Sequence, residues 1–106
     1  MGKRSVSYRE DLMSALKDPG EVAAYINAAL EEGDNKVLLT ALKNVAEANG
    51  GIGKLAAKTK LARESLYRML SKKGNPELGS LELILHTFGL KLSVQPEKRH
   101  LGSAGR

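Results

Sequence analysis

A chain of 106 residues is long enough for one modest hydrophobic core and too short for two independent ones. It has no cysteine, which excludes a disulfide framework, a thiolate metal site and a cysteine nucleophile and fits a reducing compartment. No apolar run approaches the roughly 20 residues of a membrane span, and the N-terminus lacks a signal-peptide hydrophobic segment, so a soluble cytoplasmic protein without a membrane partner is expected. The net charge of +5 is unevenly spread: residues 1–48 carry six Lys/Arg against eight Asp/Glu, net −2, and residues 49–106 carry eleven against four, net +7. The C-terminal half is therefore the half suited to polyanions.

Residues 1–6 are polar and read as a flexible N-terminus. Ser7-Tyr-Arg-Glu10 has the form of a capping box, in which a serine oxygen accepts an amide and the glutamate reaches back. A helix is expected from there to about Lys17, burying Leu12 and Leu16. Asp18-Pro19-Gly20-Glu21 is a second start signal, with an N-cap, a proline at the first helical position and an acid in the first turn. That helix should run to about Glu32, with Val22, Ile26, Ala29 and Leu30 inward and Gly33 closing it. Asp34 caps a third helix to about Ala48, with Leu38, Leu42 and Val45 as one stripe and Leu39 and Ala46 widening it. Asn49-Gly50 ends it.

Residues 51–71 predict a helix-turn-helix. Ile52, Leu55, Ala56 and Thr59 recur at helical spacing and mark the inner face of a short helix. Small Ala56 permits a close crossing. Leu61 plugs the turn, and Leu66, Met69 and Leu70 supply the buried stripe of the next helix. Arg63, Glu64, Tyr67 and Arg68 are left outside, as long polar side chains on a helix that can lie in a major groove. Lys72-Lys-Gly-Asn-Pro76 is a loop. Leu78, Leu81, Ile84, Leu85 and Phe88 define a last helix, stopped by Gly89. Leu90-Lys-Leu-Ser-Val94 alternates apolar and polar, which predicts either a short strand that pairs with a second copy or an extended strap on the core. Residues 96–106 read as a flexible basic tail.

Arg63 suits a base edge, because a guanidinium pairs bidentately with guanine; the plainer reading is a surface arginine paired with Glu64 or Glu10. Arg68 suits a base or a phosphate. Tyr67 can reach phosphate or a thymine methyl, or brace the loop as a half-buried ring. Ser65 can donate to phosphate, and Glu64 can accept from cytosine or simply stabilise a helix start. Lys54, near the start of the first motif helix, can clamp phosphate together with the helix dipole. Lys72 and Lys73 suit backbone contacts, whereas Lys58 and Lys60 read as solubilising charges. His86 and His100 have no carboxylate at metal-ligand spacing, so no metal, cofactor or catalytic role is expected. Gly50-Gly51-Ile52-Gly53 lacks the preceding strand and the following Lys-Ser/Thr of a nucleotide loop.

The succession of residues 21–34 (Glu-Val-Ala-Ala-Tyr-Ile-Asn-Ala-Ala-Leu-Glu-Glu-Gly-Asp), 61–71 (Leu-Ala-Arg-Glu-Ser-Leu-Tyr-Arg-Met-Leu-Ser), Gly74-Asn-Pro76 and residues 85–92 resembles the addiction-module antidote proteins. These are small bacterial antitoxins with a lambda-repressor-like, Xre-type helix-turn-helix. The resemblance implies an antitoxin of a type II toxin–antitoxin module, encoded beside a small ribosome-dependent ribonuclease or gyrase-poison toxin that it neutralises. It also implies repression of its own operon at a palindromic operator, with a homodimer on the DNA. In two places the chain departs from the family pattern: Lys60 stands where glycine is common in the turn, and Ala62 where serine commonly caps the recognition helix.

The expected fold is all-α, a lambda-repressor-like domain of about six helices spanning residues 7–95. Within it lie N-terminal helices over 7–48, the helix-turn-helix over 51–71, and the last helix with its strand or strap over 78–94. The expected function is a non-enzymatic, cytoplasmic, nucleoid-associated DNA-binding antitoxin. One alternative is a protein-interaction module whose acidic Glu21, Glu31, Glu32 and Asp34 grip a basic toxin, with the helix-turn-helix kept as scaffold; another is a stand-alone transcriptional repressor.

Overall fold

The computed structural model describes residues 2–71 and 73–97, with side chains from Tyr8 onward. These residues form six helices and no strand: α1 (Gly2–Ala15), α2 (Pro19–Glu32), α3 (Asn35–Ala48), α4 (Gly51–Thr59), α5 (Arg63–Met69) and α6 (Leu78–Thr87). The all-α class and the number of helices are those expected from the sequence.

Local chemistry sets most of the boundaries. The Asp18 carboxylate accepts the Glu21 amide at 3.0 Å, and Pro19 opens α2. Gly33, at φ 74, closes α2 in the left-handed region that costs glycine least. Asp34 accepts the Lys36 amide at 2.9 Å and starts α3. At the other end of α3, Asn49 Nδ2 donates to the Val45 carbonyl at 2.8 Å and to the Leu16 carbonyl at 2.9 Å. One side chain thus ends a helix and ties it to the corner between α1 and α2.

The first helix begins earlier than the sequence suggested. Its backbone is helical from Gly2, so Ser7 lies inside α1 and does not start it. A capping signal favours a start, but residues 2–6 contain no proline to stop the hydrogen-bond ladder from propagating through them.

α3 and α4 form the spine. α3 packs against α1, α2 and α4, and α4 against α5 and α6. The core runs along them through Leu16, Val22, Ile26, Leu39, Leu42, Val45, Leu55, Leu66, Leu70 and Ile84. The apolar stripes expected on α2, α3 and α6 are mostly buried, with exceptions. Leu38 is half-buried, and Ala41 takes a buried position instead. Leu30 is 48% exposed and Leu78 64% exposed. Leu30 belongs to the apolar period of α2, but that helix packs chiefly on α3 alone and Val22, Ile26 and Ala29 already fill the contact. Leu78 opens α6, ahead of the turns that the core covers. A surface ion pair, Arg9 to Glu47 at 2.7 Å, joins α1 to α3; pairs this exposed contribute at most about 1 kcal/mol.

After α6, Gly89 turns the chain at φ 85 and the Leu90 amide returns to the Leu85 carbonyl at 2.9 Å. Residues 90–97 then continue without regular structure. The tail expected from residue 96 lies, beyond Glu97, outside the described residues.

Candidate nucleic-acid interface

The α4–turn–α5 unit is held from beneath. Leu55 and Thr59 of α4 and Leu66 of α5 are buried, with Leu70 directly after it, while Ile52, Ala56, Leu61 and Met69 are half-buried against the core. Thr59 fixes the turn through its hydroxyl, which donates to the Leu55 carbonyl at 2.8 Å and accepts the Leu61 amide at 3.2 Å. The same side chain therefore satisfies one group inside α4 and one in the turn, where a buried orphan amide would cost about 1–3 kcal/mol.

This support leaves the outer face of α5 in solvent. Arg63, Glu64 and Arg68 are exposed, Tyr67 is 61% exposed, and Ser65 is half-buried. Tyr67 is thus not a half-buried brace for the loop. Neither Arg63 nor Arg68 has an acidic partner among the described residues, where Arg9–Glu47 is the ion pair that forms. The alternative pairings of Arg63 with Glu64 or Glu10 are therefore not made.

Two cations converge on the start of α4. The stem of Lys54 folds back over Gly50, so closely that a Cβ there would collide with it. The Arg63 guanidinium lies over Gly53, with a terminal nitrogen 2.9 Å from where a Cβ would stand. Gly50 and Gly51 both have positive φ, and α4 has no side-chain cap at its start. The first amides of α4 therefore have no side-chain acceptor, and Lys54 and Arg63 lie beside that helix start, an arrangement that favours an anion.

The segment after α5 is pinned as tightly. A Cβ on Gly74 would collide with the Met69 carbonyl, and Asn35 Nδ2 donates to the Gly74 carbonyl at 3.1 Å. The first residue of α3 thus fixes the loop that carries Lys73, which is exposed. Lys72 lies outside the described residues.

Residues 7–96 match the model of a protein family described as probable addiction module antidote protein. The chain belongs to that family. It is also similar to an uncharacterized protein of Haemophilus influenzae (strain ATCC 51907 / DSM 11121 / KW20 / Rd), 28% identical over 88 residues that cover 83% of this chain and 90% of that one. No solved structure matches. A role in a toxin–antitoxin pair, with a toxin as partner, follows from membership in an antidote family. No helix among the described residues is long and apolar enough to cross a membrane.

Within this antidote domain, the two residues singled out as unusual sit where expected. Lys60 is the single non-glycine residue with positive φ among the described residues, at 66°, and Ala62 occupies the N-cap of α5 without a side-chain hydrogen bond. The residues that position the face were harder to read. Gly53, Gly74 and Asn35 act through space, across 10, 5 and 39 positions of sequence respectively. Thr59 was legible as an inward residue, but its hydroxyl bond to Leu61 depends on the turn geometry.

Proposed function

We propose that this antidote protein binds operator DNA as a homodimer through α5 and the start of α4, represses its own operon, and neutralises a toxin encoded beside it. The observation that carries the DNA reading is the outer face of α5. It presents Arg63, Glu64, Tyr67 and Arg68 to solvent, with no acidic partner for either arginine among the described residues. In this reading Arg63, Glu64, Tyr67 and Arg68 read base edges, and Lys54, Ser65, Lys72 and Lys73 hold phosphates. The start of α4, which has no side-chain cap, and Lys54 receive a backbone phosphate, while Arg63 leaves its resting place over Gly53 to reach a base. Two copies related by a two-fold axis would place their α5 helices on half-sites about 34 Å apart.

The test is binding of the chain to the DNA upstream of its own reading frame, across a salt series, with the Arg63→Ala/Arg68→Ala variant alongside. The expected loss of specific affinity exceeds about 2 kcal/mol, and log affinity should fall steeply with log salt. A loss below about 1 kcal/mol would remove these arginines from base reading.

A second reading, a protein-interaction module, is favoured by a separate observation. α2 carries Glu21, Glu31 and Glu32 without one basic residue, and Glu32 borders an open, mostly apolar groove of about 390 Å³ between α2 and α3, lined by Tyr25, Ala28, Ala29, Val37 and Ala41. Lys36 also lines the groove, so its walls carry one charge of each sign; an apolar-faced segment of the toxin would fit there, with the acidic side chains of α2 meeting basic residues beside it. Binding to the product of the adjacent gene, without affinity for upstream DNA even at low salt, would leave this reading alone.

A further inference from the structure

Leu90-Lys-Leu-Ser-Val94 has the alternation of a strand with one apolar face. Its first residue is anchored: Leu90 is half-buried and its amide bonds to the Leu85 carbonyl. Beyond that point residues 91–96 make no hydrogen bond among the described residues. Leu92 is 39% exposed and Val94 97% exposed, whereas a strap packed on the core would bury both. Between this segment and α2 lies an open groove of about 390 Å³, with Ile26, Leu30, Leu85, Leu90 and Leu92 in its walls.

We infer that residues 90–96 become a strand against a second copy of themselves, antiparallel about a two-fold axis at Ser93, covering the exposed Leu30. The inference deepens the proposed dimeric regulator and rests on it only for the use of the dimer on DNA. In this register Leu92 of each copy faces Val94 of the other, Leu90 faces Pro96, and Lys91 faces Gln95. Apolar residues meet apolar ones and no like charges oppose. Within residues 90–97 the charged residues are Lys91 and Glu97, one of each sign, so the paired stretch itself carries little repulsion between copies, although Lys98 and Arg99 follow it directly. A row of unbonded amides and carbonyls on an extended segment is a template for another extended segment. Pro96, which has no amide to offer, falls at the end of the pairing, where a strand tolerates it. The surface covered is small beside the roughly 1,000 Å² of a durable interface, so association in the micromolar range is expected.

The absence of native cysteine makes single-cysteine variants clean reporters. Ser93→Cys should form an intermolecular disulfide under mild oxidation, and Lys43→Cys, exposed on α3, should not. In sedimentation the unaltered chain should approach twice 11.4 kDa as concentration rises. Val94→Asp should weaken this self-association about tenfold without moving the unfolding midpoint, since Val94 lies outside the core. Cross-linking at 93 no faster than at 43, or self-association indifferent to Val94→Asp, overturns the strand and leaves the DNA reading to the arginine variant. Self-association that depends on residues 93 and 94, in a chain that does not bind DNA, keeps the strand and sinks the regulator.

Discussion

The junction between α2 and α3 and the junction between α4 and α5 solve one problem with opposite chemistry. At the first, Gly33 occupies the left-handed position and Asp34 caps the next helix through the Lys36 amide. At the second, Lys60 occupies the left-handed position and Ala62 stands at the N-cap with no oxygen to offer. A side chain at positive φ costs about 1 kcal/mol relative to glycine, and a missing cap costs about another. What holds the second junction is tertiary: buried Leu55 and Leu66, and the Thr59 hydroxyl that takes the Leu61 amide. The N-terminal scaffold is locally encoded, whereas the proposed recognition helix is kept in place by what lies beneath it.

That contrast can be broken most sharply at Leu66. It is fully buried in a seven-residue helix, and Leu66→Ala should cost about 2–5 kcal/mol in urea unfolding, with hydrogen exchange in α5 rising before exchange in α3. If α3 loosens equally, the two regions are one cooperative unit and the distinction fails. At the paired left-handed positions the signs should be opposite. Gly33→Ala is expected to destabilise by about 1 kcal/mol and Lys60→Gly to stabilise by about the same, measured as shifts in the denaturation midpoint. Equal signs would show that backbone strain is not what separates the junctions.

Ala62→Ser supplies the absent cap and should add up to about 1 kcal/mol, read by the same unfolding curves. The smallest stability effect is expected at Gly53→Ala, a gain below about 1 kcal/mol from helix propensity. The added methyl must push aside the Arg63 guanidinium, 2.9 Å away, so DNA affinity should change although the fold does not. Unaltered affinity would mean that the resting place of Arg63 has no bearing on the DNA contact.

The amino-acid sequence alone determined the elements whose signals lie within a few residues of one another. The Asp18-Pro19 start, the Gly33 stop and the Asp34 cap each act within one turn of helix, and each is found where the residues place it; the apolar period of α3 is found too, with Leu38 half-buried and Ala41 buried in its stead. The exposure of Arg63 and Arg68 was legible for the same reason, because burial of Leu66 and Leu70 fixes the opposite face of α5, whereas that of Tyr67 was decided only by the structure. Tertiary structure decided what depends on neighbours distant in the chain. Leu30 and Leu78 share the period of buried residues yet meet no covering helix, and α1 propagates through residues 2–6 past a plausible cap. The arrangement of the candidate site also came from distance. Arg63 rests over Gly53 because two helices cross there, and Asn35 holds the Gly74 loop across 39 residues. Local hydrogen-bond chemistry and periodicity specify where helices begin, end and face; which side chains then meet is set by packing, and packing is a property of the assembled chain.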